Sequence, residues 1–255
     1  MQDATRRTDR SPLTQPALPG HCVLSSNIPG TNRKSKMNEL LPLLLQGAWV
    51  TVQVTFWGSL LAIAAALVGA LGRLSPIAPL RWLAITYIEV FRGSSLLVQL
   101  FWLYFVLPMP PFNIAMSAFS VAVVGLGLNI GAYGAEVLRG AIRAVPEGQY
   151  EACQALNMTA WQRLRRVILP QALLAAIPPG TNLLIELLKN TSLVSLITLS
   201  DLAFRARQLD QATLMTLEIF GLALVMYFVL AQVINFSMRM LERRLARGRM
   251  RGGLS

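Results

Sequence analysis

Four polar side chains share one helical face late in the chain: Asn182, Glu186, Lys189 and Asn190 stand at i, i+4, i+7 and i+8. A second set, Asn129, Tyr133 and Glu136, has the spacing i, i+4 and i+7. Both lie inside otherwise apolar runs. A carboxylate can hold an ammonium group, and a lysine with neighbouring amides can hold a carboxylate. The two stripes therefore have the chemistry to line a path for a small solute with both kinds of end. The competing reading is structural, with Glu186 paired to Lys189, and Glu136 to Arg139 or Arg143, so as to hold helices together. Pro178, Pro179 and Gly180 stand a turn before the stripe, which begins at Asn182, and are expected to bend or interrupt the helix.

Covalent and metal chemistry find no comparable set. The one histidine is His21, and the two cysteines, Cys22 and Cys153, lie in segments of different character, so there is no metal spacing and no disulfide framework. The chain has no G-x-x-x-x-G-K-S/T phosphate loop, no G-x-S-x-G elbow and no H-E-x-x-H pair. No metal or cofactor is expected in this chain, and any energy source must come from a partner.

The elements that position these residues follow from hydropathy. The 255 residues are 54% apolar and only 14% charged, a membrane-protein composition. The net charge of +11 would suggest a nucleic-acid binder in a soluble chain. Here the arginines separate long apolar runs, so they read as topology and no nucleic-acid partner is expected. A bilayer core of about 30 Å needs roughly 20 apolar helical residues, and the stretches 48–71, 115–138, 172–196 and 214–238 meet that need. A fifth, 84–107, is interrupted by Glu89, Arg92, Gly93, Ser94 and Ser95 and reads as a helix with a polar cytoplasmic entry.

Five spans place the two ends on opposite sides of the membrane. Arginines cluster in the C-terminal tail (Arg239, Arg243, Arg244) and between the third and fourth spans (Arg139, Arg143, Arg163, Arg165, Arg166). Both regions should be cytoplasmic, which leaves the N-terminus outside. Residues 1–36 are polar and rich in Pro, Ser and Arg, without the apolar run of a signal peptide, and read as a disordered extension. Met37 is then a candidate start, the alternative being a genuine tail. Residues 246–255 form a basic cytoplasmic tail.

The cytoplasmic segment 144–170 reads as two short helices. Pro146 followed by Glu147 suits a first turn, and the first helix is expected to reach about Leu156. Asn157 can take the left-handed conformation that ends it. Thr159 and Gln162 match a capping box that opens the second, which is expected to stop before Pro170. The small patch Ala152, Cys153 and Ala155 offers a surface for a partner to pack against.

Glu151-Ala152-Cys153, then Asn157, then Ile168-Leu169-Pro170 resembles the E-A-A…G…I-x-L-P signature of binding-protein-dependent ABC importer permeases, with Cys153 and Asn157 in place of an alanine and a glycine. Phe91-Arg92-Gly93-Ser94-Ser95-Leu96-Leu97-Val98-Gln99-Leu100 is similar to the F-R-G-T-P-L-L-V-Q-L segment of polar amino-acid permeases. Ala132-Tyr133-Gly134-Ala135-Glu136 and Lys189-Asn190-Thr191-Ser192-Leu193 extend the likeness to the histidine, glutamine and arginine permease group. The resemblance implies an all-α integral membrane protein over residues 38–245, with five transmembrane helices of type I ABC importer architecture. It also implies that residues 144–170 couple to a cytoplasmic ABC ATPase dimer. A second permease subunit, like or unlike, would complete a central pathway in the bacterial inner membrane, fed by a periplasmic or lipid-anchored solute-binding protein. Ser94-Ser95, the run 101–108 and Ala155-Leu156-Asn157 look like the ectoine and hydroxyectoine branch, with a polar amino acid as the other cargo. Two further readings are an ATPase-independent secondary transporter or channel, which should show repeated halves, and a membrane scaffold, which gives the intramembrane charges no role.

Overall fold

The computed structural model describes residues 33–250, with side-chain surroundings for 41–245. His21, Cys22, most of the extension and residues 251–255 of the basic tail lie outside the described residues. The described chain is helical: α1 (Arg33–Arg73), α2 (Ala78–Gly93), α3 (Leu96–Phe101), α4 (Ala118–Arg143), α5 (Glu147–Ala155), α6 (Ala160–Arg163), α7 (Leu169–Asn190), α8 (Leu202–Thr213) and α9 (Thr216–Met250). Residues 33–36, assigned to the extension on composition, already belong to α1.

Four helical stretches are long and apolar enough to cross a membrane: Leu41–Arg73, Ala118–Arg143, Ala160–Ile197 and Thr216–Leu245. The fifth is the pair Ala78–Gly93 and Leu96–Val106, which meets the requirement only jointly and turns by 106° at its break. The interrupted stretch 84–107 is thus two helices at a sharp angle. Pro79 sits in the first turn of α2, where a missing N–H is harmless.

α4 is the central helix. It approaches α1 closely because its facing positions are glycine: a Cβ on Gly127 would lie 2.8 Å from the Leu61 side chain, and one on Gly131 2.7 Å from Ala65 Cβ. Small residues at this spacing let membrane helices pack backbone to backbone. One core cluster joins Val54, Leu100, Leu126, Leu187 and Val194. A second, at the arginine-rich end, joins Ile88, Leu138, Ile142 and Ile168. A third holds α8 and α9 against α1 through Leu44, Leu202, Leu209 and Ile219. Trp49, Trp57, Val68, Leu224 and Phe236 are more than half exposed, an outer surface suited to lipid.

One sequence expectation changes and another narrows. The second cytoplasmic helix does not stop before Pro170. It widens into a π-turn at Leu164–Ile168, where the Leu169 N–H reaches Leu164 O, and runs on into α7. The wide turn accommodates a proline that has no N–H to give. Pro178 and Pro179 likewise lie inside α7 without interrupting it.

Candidate functional site

The coupling residues divide into an outward set and an anchoring set. Glu151, Ala152 and Asn157 are exposed, while Cys153 and Ile168 are buried and Leu169 and Pro170 half-buried. The small patch offered outward is therefore Ala152 with Ala155; Cys153 faces the chain's own interior. The two short helices form as their residues dictate. α5 ends at Ala155, one residue short of the expected limit, and Asn157 takes a φ of 51°, the left-handed conformation. The Thr159 side chain accepts from Gln162 N at 3.3 Å, and Gln162 Oε1 accepts from Thr159 N at 3.0 Å, completing the capping box. Beside the turn, Leu156 is 75% and Trp161 61% exposed, apolar surface on a polar segment.

This segment is fastened to the helices behind it. Tyr150 OH donates to Ile142 O at 3.0 Å, Gln171 Nε2 donates to Gln149 Oε1 at 3.2 Å, and the Arg163 guanidinium lies 5.7 Å from the Tyr150 ring centre. These contacts escaped sequence reasoning, because glutamine and tyrosine in a polar segment give no signal of their partners.

On α7, Asn182, Glu186 and Lys189 are exposed and Asn190 half-buried, while Thr181, Leu187 and Leu188 are buried on the other side. Among the described residues, Glu186 and Lys189 make no ion pair with each other or with any other side chain. The structural pairing considered for them is absent. An apolar cleft of about 230 Å³ between α1, α4 and α7, lined by Ala66, Gly134, Leu173, Ile177, Gly180 and Leu183 among others, has no polar group able to recognise a charged solute.

On α4 the polar groups are engaged. Asn129 is buried and donates to Phe91 O at 3.0 Å and Gln99 Oε1 at 3.1 Å. Tyr133 OH donates to Arg92 O at 3.4 Å, and the Arg92 guanidinium lies 5.4 Å from its ring centre. Glu136 accepts from Arg139 Nε at 3.0 Å and is ion-paired with Arg73 as well as Arg139. The pairing considered for Glu136 with Arg139 is present, and Arg73 joins it from α1.

A further polar cluster, missed in the sequence, lies in the connection before α8. Asp201, 1% exposed, caps α8 by accepting from Phe204 N at 2.9 Å and Ala203 N at 3.3 Å, and it accepts from Tyr227 OH at 3.3 Å. Thr51 on α1 accepts from Leu202 N at 3.1 Å. Burial pushes the Asp201 carboxyl up to about 6, against the opposing pull of those donors and of the Arg207 charge. An aspartate directly before Leu202-Ala203-Phe204 is an N-cap signal, so its position was legible although its burial was not.

A model of the family described as "binding-protein-dependent transport system inner membrane component" matches residues 58–247. A probable amino-acid ABC transporter permease of Sinorhizobium fredii is 45% identical over 83% of this chain and 91% of its own length. The L-cystine transport system permease of Bacillus subtilis is 39% identical over 81% and 88%, and the glutamine transport system permease of Escherichia coli 36% identical over 80% and 94%. Among solved structures, the crystal structure of an amino acid ABC transporter with histidines matches with a TM-score of 0.75 and 35% identity, over 82% of this chain and 97% of that one. An inward-facing methionine ABC transporter, 23% identical with a TM-score of 0.68, shares the fold over 81% and 98%.

Proposed function

The chain belongs to the binding-protein-dependent transport system inner membrane component family, and from that premise we propose that it is the membrane-spanning subunit of an ATP-driven importer for an amino acid. The observation that carries the mechanism is the continuity of one helical stretch, Ala160–Ile197. It begins in the exposed capped turn and passes without interruption to the face bearing Asn182, Glu186, Lys189 and Asn190. A push on the cytoplasmic turn is therefore delivered along one continuous helical stretch to the polar face. The pusher is a separate ATPase dimer, which receives the exposed Glu151, Leu156 and Trp161 in a cleft.

Charges on a membrane span cost about 2.5–3.5 kcal/mol each at a helix centre when they meet lipid. Glu186 and Lys189, exposed and unpaired within the described chain, instead face a water-filled path closed by a second permease subunit. There Glu186 receives the cationic end of the solute, and Lys189 with Asn182 and Asn190 receives the carboxylate. Tyr133 stands at the edge of that path. The arginine distribution supports an outside N-terminus and a cytoplasmic C-terminus in the inner membrane, with a solute-binding protein delivering cargo from outside. The named relatives are amino-acid permeases, which puts an amino acid ahead of ectoine or hydroxyectoine. The family match to an importer component favours this reading over a secondary transporter.

Glu151→Lys tests the coupling. Insertion depends on the apolar spans and is expected to persist, whereas docking loses shape and charge complementarity together. Removing one partner of a buried charged contact costs about 2–5 kcal/mol, roughly a thirtyfold to several-thousandfold weaker association. Co-purification with the co-expressed ATPase and solute-stimulated hydrolysis should both be lost. Wild-type yield with a normal response to the loaded binding protein would remove residues 144–170 from the ATPase contact.

A further inference from the structure

The break between α2 and α3 is held by side chains. A helix end leaves its last carbonyls without main-chain partners, and side chains can take their place. At the end of α2 three of them are met in turn. Val90 O accepts from Ser94 Oγ at 2.6 Å. Phe91 O accepts from Gln99 Nε2 and from Asn129 Nδ2, both at 3.0 Å. Arg92 O accepts from Tyr133 OH at 3.4 Å. The donors are themselves linked, since Asn129 Nδ2 reaches Gln99 Oε1 at 3.1 Å and Gln99 Nε2 reaches Ser94 Oγ at 2.7 Å.

Asn129, like Tyr133, comes from the central helix. At 5% exposure it is closed to a passing solute, and its amide ties α4 to the end of α2 and to α3 at once. The far end of the broken span bears on the 3-10 turn that follows α7. Leu100 packs in one cluster with Val194 and Ile197, with Leu103 and Tyr104 against it. Tyr104 OH lies 3.1 Å from Thr198 Oγ1. Val194 and Ile197 belong to the 3-10 turn Thr191–Ile197, which begins immediately after Asn190. The angle at the break thus sets where α3 presses on the turn that continues α7 directly beyond Lys189 and Asn190.

Resting on the permease reading, we propose that Asn129 is a positioning residue for transport: acting through Gln99 and the Phe91 carbonyl, it fixes the angle of the α2–α3 break and so the placement of the Lys189–Asn190 end of α7. It acts without touching the solute.

The test uses the full permease reconstituted with its ATPase and binding protein. Spin labels on Thr86→Cys and Phe105→Cys, both exposed positions, report the angle in a Cys22→Ser, Cys153→Ala background. Asn129→Leu and Gln99→Leu are each expected to broaden the label distance distribution and to lower ATP-dependent uptake at least tenfold at normal complex yield. The concentration of loaded binding protein giving half-maximal uptake should stay unchanged. The double variant should be no worse than the poorer single one, because both changes break one network. Lost uptake with a wild-type distance distribution would overturn the proposal, as would a broadened distribution with normal uptake. If Asn129→Leu does not assemble, Gln99→Leu at a half-buried position carries the same comparison. A wild-type complex without ATP-dependent uptake would sink the permease reading instead, while the distance measurement still reports on the joint.

Discussion

On α4, Asn129 gives its amide hydrogens to Phe91 and Gln99, Tyr133 reaches Arg92, and Glu136 is held by Arg73 and Arg139. On α7, at the same helical spacing, Asn182, Glu186 and Lys189 stand exposed, and the two charges have no ion-pair partner among the described residues. The difference comes from the neighbours. α4 packs against α1, α2, α3 and α7, so the polar groups that turn toward those helices find protein partners. α7 buries only the side that bears Thr181, Leu187 and Leu188. Periodicity reports which residues share a face; the packing of other helices decides whether that face is a joint or a binding surface.

The largest effect that tests this contrast falls on α4. Glu136→Gln leaves the guanidinium groups of Arg73 and Arg139 facing one another in a partly buried site, where the Glu136 side chain is 17% exposed. Removing one member of such a set costs about 3 kcal/mol. Unfolding in mixed micelles titrated with denaturing detergent should show a loss of that order. An unchanged unfolding midpoint with lost uptake would move Glu136 from the joint to the pathway.

Glu186→Gln and Lys189→Met should behave in the opposite sense. Neither breaks an ion pair within the described chain, so stability should stay within about 0.5 kcal/mol of the parent. Each removes a charged contact to the solute worth about 1.5–3 kcal/mol, and uptake should fall about tenfold or more. Destabilisation without a transport defect would show that α7 is also a joint, one formed against the second subunit.

Much of this fold is legible in composition and spacing. The four long apolar runs, the break at 93–95 and the capped turn at 157–162 all follow from side-chain chemistry acting over a few residues. Asn157 adopts φ > 0 because an asparagine tolerates that conformation, and Thr159 caps because Gln162 lies three residues on. Pro170 misled, since a proline reads as a stop unless the preceding turn widens, and nothing local announces the π-turn at Leu164–Ile168. The partners of Asn129 and Glu136 were out of reach for a different reason. Phe91 lies 38 residues from Asn129 and Arg73 lies 63 from Glu136, and helical phase carries no information over such separations. Arg139, three residues from Glu136, was within reach and was found.

Asp201 gives the smallest effect and the sharpest version of the contrast, because it is a buried carboxylate engaged by neutral donors where Glu136 is engaged by cations. The groups around it are Tyr227 from α9, Thr51 from α1, and the backbone of Ala203 and Phe204 with the Arg207 charge from α8. Burial outweighs these donors and raises the carboxyl from its usual 3.8 to about 6. The folded chain therefore holds this proton more tightly than the unfolded chain. Its contribution to stability is fully present below about pH 4 and is lost as the pH rises through about 6. Between pH 5 and pH 7 the change amounts to about 1 kcal/mol by linkage, with the chain more stable at the lower pH. Asp201→Asn keeps a side-chain oxygen that can cap α8 but cannot titrate. Subtracting the pH dependence of this variant from that of the parent isolates the Asp201 term. The difference should favour the parent's folded state at pH 5 relative to pH 7. A difference of the opposite sign would mean that the carboxylate is stabilised in its charged form, and that the cluster around Asp201 works as the Glu136 site does, through the Arg207 charge.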